Sequence, residues 1–243
     1  MRKKRQLTRE QIFLRIGAVC AILGAVVSVA AGIGFGNITN KLGTEAVLRY
    51  ISSRPDWYWP TVQLGFIVGA LLWVGALAAL AGSLTRGAGW ALGRLGAASV
   101  IVGATIHVVD SAVSGFGLAH LADAWAVATG SEKEILLHNG ETLHMILGGT
   151  WAGVLMLFHG LPFVLFGLAV ALDRSYPAWL GWFGFVGGLG SLFIGIMMFL
   201  GLDLVPESLF IVFALVVSLW MVAMGVLMWR RAATTKDKAL EAD

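Results

Sequence analysis

The sequence predicts an all-α fold, a polytopic membrane protein built as a bundle of six transmembrane helices. Three observations predict it. Of 243 residues, 58% are hydrophobic and only 13% are charged, where soluble domains run at about 45–50% and about 25%. The mean hydropathy of +0.83 points the same way. Six apolar runs each reach the length of about 20 residues that a helix needs to cross a hydrocarbon core about 30 Å thick. They are continuous rather than alternating, which favours helices over a closed β-barrel. The composition excludes a globally disordered chain.

The elements follow in order. A basic segment, 1–15, precedes the first span, Ile16–Gly36. A basic start followed by an apolar run also fits a signal peptide, but this run exceeds a signal core of about 7–15 residues, so an uncleaved first helix is expected. Cys20 lies in that helix. A lone cysteine makes no internal disulfide and no cysteine-based zinc site, so a small packing residue is expected. The segment Asn37–Pro60 follows and ends in Trp57, Tyr58 and Trp59, an interfacial aromatic belt before the second span, Thr61–Thr85. The third span is Leu95–Leu118 and contains one acid, Asp110.

Ala119–Thr142 then reads as a partly helical connector broken at Gly130, with Ser131 and Glu134 fitting a capping box. The fourth span is Leu143–Leu172, and Pro162 predicts a local kink in it. The fifth is Ala178–Leu202, the sixth Ser208–Trp229, and 230–243 is a solvated tail. The connections around Gly87–Arg94 and Asp173–Pro177 are short, which implies antiparallel neighbours. Residues 16–229 thus form a single transmembrane domain.

Basic residues orient the bundle. With both termini cytoplasmic, 13 of the 17 Lys and Arg residues lie inside, and only Lys41, Arg49, Arg54 and Lys133 lie outside. The net charge of +3 therefore reflects threading, and no nucleic-acid partner is implied. The expected partner is the lipid bilayer.

Many of the 32 glycines lie inside spans. Gly149 with Gly153, and Gly184 with Gly188, place pairs of small residues on one helix face, where close packing drives association in lipid. Packing within the bundle is the expected role, and a homo-oligomer or a partner membrane subunit would use the same faces. No internal repeat suggests a two-halved transporter.

Ionisable groups inside spans are expensive and mark functional sites. His107 and Asp110 lie about one turn apart on one face, near Ser111 and Ser114. His159 lies on the antiparallel fourth span. Counted from Arg94, His107 is about 20 Å deep, and counted from Asp173, His159 is about 21 Å deep. The depths match, so His107, Asp110 and His159 form the candidate constellation for a ligand or a metal, with Gly103, Gly149, Gly153 and Gly160 leaving room.

A second polar group lies further out: His120, Asp123, His138, Glu141 and His144. Glu-x-x-His on a helix is a spacing used by carboxylate-bridged metals. Asp203 and Glu207 are candidates to join it from the last outer loop. Its position at the water interface makes ordinary solvation the simpler reading.

Two haems held by His107 with His159 and by His120 with His144 fit in depth. In azimuth His144 and His159 differ by about 60°, but His107 and His120 by about 140°. The second pairing therefore fails unless Gly115-Phe116-Gly117 breaks the helix, and one mid-membrane haem is the most the pattern allows.

Three functions remain open. The first is binding of a metal, haem or small ligand at the central triad. The second is a small-solute or proton-coupled transporter. The third is a non-catalytic scaffold or accessory subunit in which the triad only packs, each polar contact being worth about 0.6–2 kcal/mol. An acid beside a histidine also suits general-base work, but no catalytic motif is present. A retinal lysine, a phosphate-binding loop, a cysteine cluster, a voltage-sensor arginine repeat and a His-Glu-x-x-His motif are all missing.

Residues Leu165–Leu172 (LFGLAVAL) and Tyr176–Gly188 (YPAWLGWFGFVGG), with Ile51–Trp59 (ISSRPDWYW), resemble a family of uncharacterised bacterial membrane proteins. The resemblance covers about half of the chain. It implies a six-helix fold and a bacterial plasma (inner) membrane location. The family has no assigned activity, so the resemblance gives no residue a catalytic role.

Overall fold

The computed structural model describes residues 8–36, 43–173, 175–202, 204 and 209–238, of which 234–238 by their backbone only. It contains seven helices among these residues: α1 (Arg9–Phe35), α2 (Thr44–Ser52), α3 (Tyr58–Ser83), α4 (Gly87–Val127), α5 (Gly130–Leu172), α6 (Ala178–Phe199) and α7 (Leu209–Lys238). All but α2 are long and apolar enough to cross a membrane. An even number of spans brings both ends of the described chain to one face, the terminal face. The opposite face carries α2 and the α4–α5 turn, and is called the hairpin face below.

Neighbours in sequence are neighbours in space. From α3 to α7 each spanning helix packs on the next, and α1 closes the set by packing between α3 and α7. The apolar window of α5 is 61% buried, against 28% to 44% for the other five. The fourth span is therefore the central one. Its Phe158, Phe163 and Phe166 fill the interior with Trp73 of α3 and Trp220 of α7. Large apolar side chains such as Val26, Leu71, Ile101 and Leu219 point outward, the arrangement of helices that face lipid on one side and protein on the other.

Several boundaries differ from the expected ones. At 41 and 43 residues, α4 and α5 are each about 60 Å long, twice the hydrocarbon thickness. They form an antiparallel hairpin that projects past the hydrocarbon on the hairpin face. The turn is Ala128–Thr129, followed by Gly130 at φ +59°, a left-handed conformation that favours glycine. Thr129, not Ser131, is the N-cap, and its side chain makes no capping hydrogen bond. The expected capping box is absent because the helix starts two residues too early for it. Within Asn37–Pro60, α2 is an additional short helix. Its Val47, Leu48 and Ile51 bury against Leu118, Ala119, Ala122 and Trp125 of α4, making a small second core. Two cores thus exist, one in the membrane and one in this cap.

Both central helices change pitch. Val113–Leu118 in α4 and Leu155–Gly160 in α5 are π-helical. In α5 the cause is local. A proline lacks an N–H and its ring crowds the carbonyl four residues earlier, here that of Phe158. The π segment ends at Gly160, so Pro162 falls in the first turn of the resumed α-helix, where no partner for its nitrogen is needed. The irregularity expected at Pro162 takes this form. In α4 the wider turn sits at Gly115-Phe116-Gly117, and the carbonyl of Ser114 accepts a hydrogen bond from Trp59 Nε1 at 3.1 Å.

Candidate functional site

The two π segments flank a buried polar centre. His107 lies on α4, about 20 Å from Arg94, and His159 lies in the π segment of α5. Their ring centroids are 6.1 Å apart at 79°. Depth, read from sequence, brought them to one level; the structure also turns them toward each other.

Aromatic rings enclose the pair. Trp73, Phe158 and His107 form a continuous stack, with 5.5 Å and 5.1 Å between successive centroids and 19° between planes in each step. His159 meets all three edge-on, at 76°, 85° and 79°. Phe66 and Trp151 border His107, and Phe210 borders His159. Perpendicular ring contacts place positive ring edges on negative faces. None of these aromatic partners was singled out from sequence. Their only signal is a high aromatic content, which apolar spans share.

Buried polar atoms here lack partners. His107 Nδ1, His159 Nδ1 and Ser111 Oγ are buried without a hydrogen bond, as is Trp73 Nε1, which lies against Gly24 of α1. Ser111 is one turn from His107 on α4. An unpaired buried polar group costs about 1–3 kcal/mol, and most such groups in folded proteins have a partner. The two facing imidazoles, each with an unpartnered nitrogen, form the candidate site.

Asp110 is buried and accepts a hydrogen bond from the Thr150 hydroxyl of α5. Its partner is thus Thr150 and not a histidine. Nearby, Gln63 of α3 donates to Ser114 Oγ at 3.2 Å. Among the described residues, no three of His, Cys, Asp and Glu gather closely enough to hold a metal. A structural zinc site needs four ligands, and this centre offers two imidazoles. Phe158 touches both imidazole rings, so a flat haem does not fit between them without displacing that ring.

The outer polar group does not assemble. His120 is exposed, its Nδ1 2.8 Å from the Phe116 carbonyl of its own helix. His138 pairs with Glu141 at 3.3 Å on an exposed face. His144 turns to α2 instead, with Nδ1 3.3 Å from Thr44 Oγ1. Asp123 is exposed. Asp203 and Glu207 lie outside the described residues. These side chains share a surface and not a point.

The expected glycine pairs divide. Gly188 lies against Val164 and the Gly160 carbonyl of α5, while Gly184 lies under the Trp220 indole of α7, so the two serve different partners. Gly149 has open space beside it and Gly153 touches only Ile106, which corrects their reading as a tight packing face within the bundle. Close approach falls instead on Gly103, where a methyl group would collide with the Leu157 carbonyl, and on Gly160 and Gly167. Cys20 is a free, partly buried thiol on α1.

The resemblance of Leu165–Leu172 and Tyr176–Gly188 to uncharacterised membrane proteins gives none of these residues a role. No family model, no curated protein and no solved structure matches the chain.

Proposed function

We propose that this integral membrane protein binds a small polar molecule at His107 and His159, with Asp110 and Thr150 beside them. The supporting observation is the pair of facing imidazoles, each with an unpartnered buried nitrogen, within one aromatic enclosure. A packing-only cluster would be expected to satisfy its members against one another, as Asp110 and Thr150 do. The terminal face is proposed to be cytoplasmic, because it takes the larger share of Lys and Arg. The resemblance noted above supports placement in a bacterial plasma membrane.

The test is elemental analysis and intact-mass measurement of the detergent-purified full chain, beside His107→Ala and His159→Ala. The expected result is a stoichiometric bound mass in the wild type that both variants lose, and no stoichiometric metal. An empty wild-type protein, with variants altered only in thermal stability, would replace this reading with a scaffold role.

A further inference from the structure

One face of α4 changes chemistry along its length. His107, Asp110, Ser111 and Ser114 follow one another at helical spacing on the buried side. Gln63 joins them from α3, and Thr150 and His159 join from α5. Toward the terminal face the same side continues as Gly103, Val100, Gly96 and Gly93, all buried and without a polar side chain. Counted from Arg94, Ser114 is about 30 Å along the helix, at the far boundary of the hydrocarbon. The polar stripe therefore runs from that boundary inward and stops at the histidine pair.

In the terminal half the spans meet backbone to backbone: Gly103 on Leu157, Gly160 on Leu192, Gly188 on Val164, and Gly167 on Phe185. The hairpin half is packed as well, with Gly115 against Gln63 and Pro60. What changes along this face is its chemistry, apolar toward the terminal face and polar toward the hairpin face.

We propose that the stripe is a one-sided access path, by which small hydrogen-bonding solutes reach the histidine pair from the hairpin face and not from the terminal face. This rests on the reading of that pair as a binding site, and it deepens that reading. The solute enters at the level of Ser114, passes the Asp110–Thr150 hydrogen bond and stops at the stack of Trp73, Phe158 and His107. The site thus takes its ligand from one side, as a receptor does, with no matching route to the other.

Silver ion, a small membrane-impermeant thiol reagent, is a suitable probe. The full chain carrying Cys20→Ala receives one cysteine at a time and is placed in sealed vesicles of each orientation. Val127→Cys, 83% exposed, marks the hairpin face, and Thr85→Cys marks the terminal face. After silver treatment and unfolding, a fluorescent maleimide counts the thiols left. Silver at the hairpin face should abolish maleimide labelling of Ser111→Cys and Ser114→Cys, and silver at the terminal face should leave it intact. Val100→Cys should keep its label under both. Blocking of Ser111→Cys and Ser114→Cys from the terminal face, or from neither, overturns the path. If Ser111→Cys does not fold, Ser114→Cys gives the same readout. One-sided access in a protein that holds no ligand would sink the binding reading and keep the path. A bound ligand without one-sided access would do the reverse.

Discussion

Thr150 donates its hydroxyl to the Asp110 carboxylate, tying the third span to the fourth about one turn outward of the histidine pair. The same hydroxyl also lies within reach of its own helix at the Ile146 and Leu147 carbonyls. A threonine in a helix is easily dismissed as self-satisfied. Here it supplies the one side-chain partner that this buried acid has across the helix interface among the described residues.

Loss of that partner should be measurable. Thr150→Val removes the hydroxyl at nearly constant shape and leaves Asp110 unpaired. Hydrogen bonds between spans average about 0.6 kcal/mol and reach about 1.7 kcal/mol. A loss in the upper part of that range is expected in a detergent unfolding titration, because the acid stays buried. Asp110→Asn should cost less, and the double variant should cost less than the sum of the two. Strictly additive losses would show that the two side chains do not interact.

The glycines give a second, opposed pair of outcomes. Gly103→Ala drives a methyl group into the Leu157 carbonyl, a backbone atom that cannot rotate away. Overpacking of this kind costs about 1–3 kcal/mol. Gly149→Ala meets nothing and removes glycine's helix penalty, worth about 0.5–1 kcal/mol. The first variant should melt lower than wild type, and the second equal or higher. A destabilised Gly149→Ala would show that this face is covered in the membrane, by a second copy or another subunit.

The spans were legible because the bilayer imposes one requirement, a long apolar run, that composition alone reveals. Their ends were less legible. α4 and α5 continue past the hydrocarbon as an amphipathic hairpin, held by Leu48 and Trp125 in the cap, and an apolar-run criterion stops at Leu118 and restarts at Leu143. The helix α2 could have been found from Val47, Leu48 and Ile51 on one face of a short amphipathic segment. His107 and His159 were legible as ionisable groups out of place, and matching depth gave their level. Thr150, Trp73 and Phe158 were not, because threonine and aromatic residues are ordinary in a span and only the fold turns them inward. The π segments depend on hydrogen-bond spacing that no residue type announces, although Pro162 and Gly115-Phe116-Gly117 marked both neighbourhoods.

Alkaline pH should probe the terminal face. Tyr176 lies between the fourth and fifth spans, with its hydroxyl 2.7 Å from Ser83 Oγ and the Arg231 guanidinium 5.3 Å from its ring. Burial raises its pKa, the Ser83 hydrogen bond and the Arg231 charge offsetting part of the rise. The fold therefore favours the neutral phenol over the phenolate. That stability is fully present below the unfolded value of about 10 and is lost as pH rises through the higher folded value. The melting temperature should fall above about pH 10, and fall less steeply in Tyr176→Phe. At neutral pH Tyr176→Phe should melt slightly lower, from loss of a hydrogen bond worth about 0.5–1.5 kcal/mol. Equal alkaline slopes in the two proteins would exclude Tyr176 as the titrating group.

The cap should open separately from the bundle. Leu48 is fully buried, but its neighbours are the cap residues Val47, Ile51, Leu118 and Trp125, and the membrane core is a different cluster. Truncation of a buried leucine costs about 2–5 kcal/mol. In Leu48→Ala that loss should fall on α2, which holds to the hairpin by little else than this face and the contact of Thr44 with His144. Hydrogen exchange should quicken across Thr44–Ser52 while amides around Phe163 and Phe166 stay protected. The cap also sits just outward of Ser114, where the proposed path begins. Silver should therefore block Ser114→Cys faster in the presence of Leu48→Ala. Faster exchange throughout the bundle would mean that cap and core unfold together. An unchanged silver rate beside a loosened α2 would mean that solutes reach Ser114 by a route the cap does not cover.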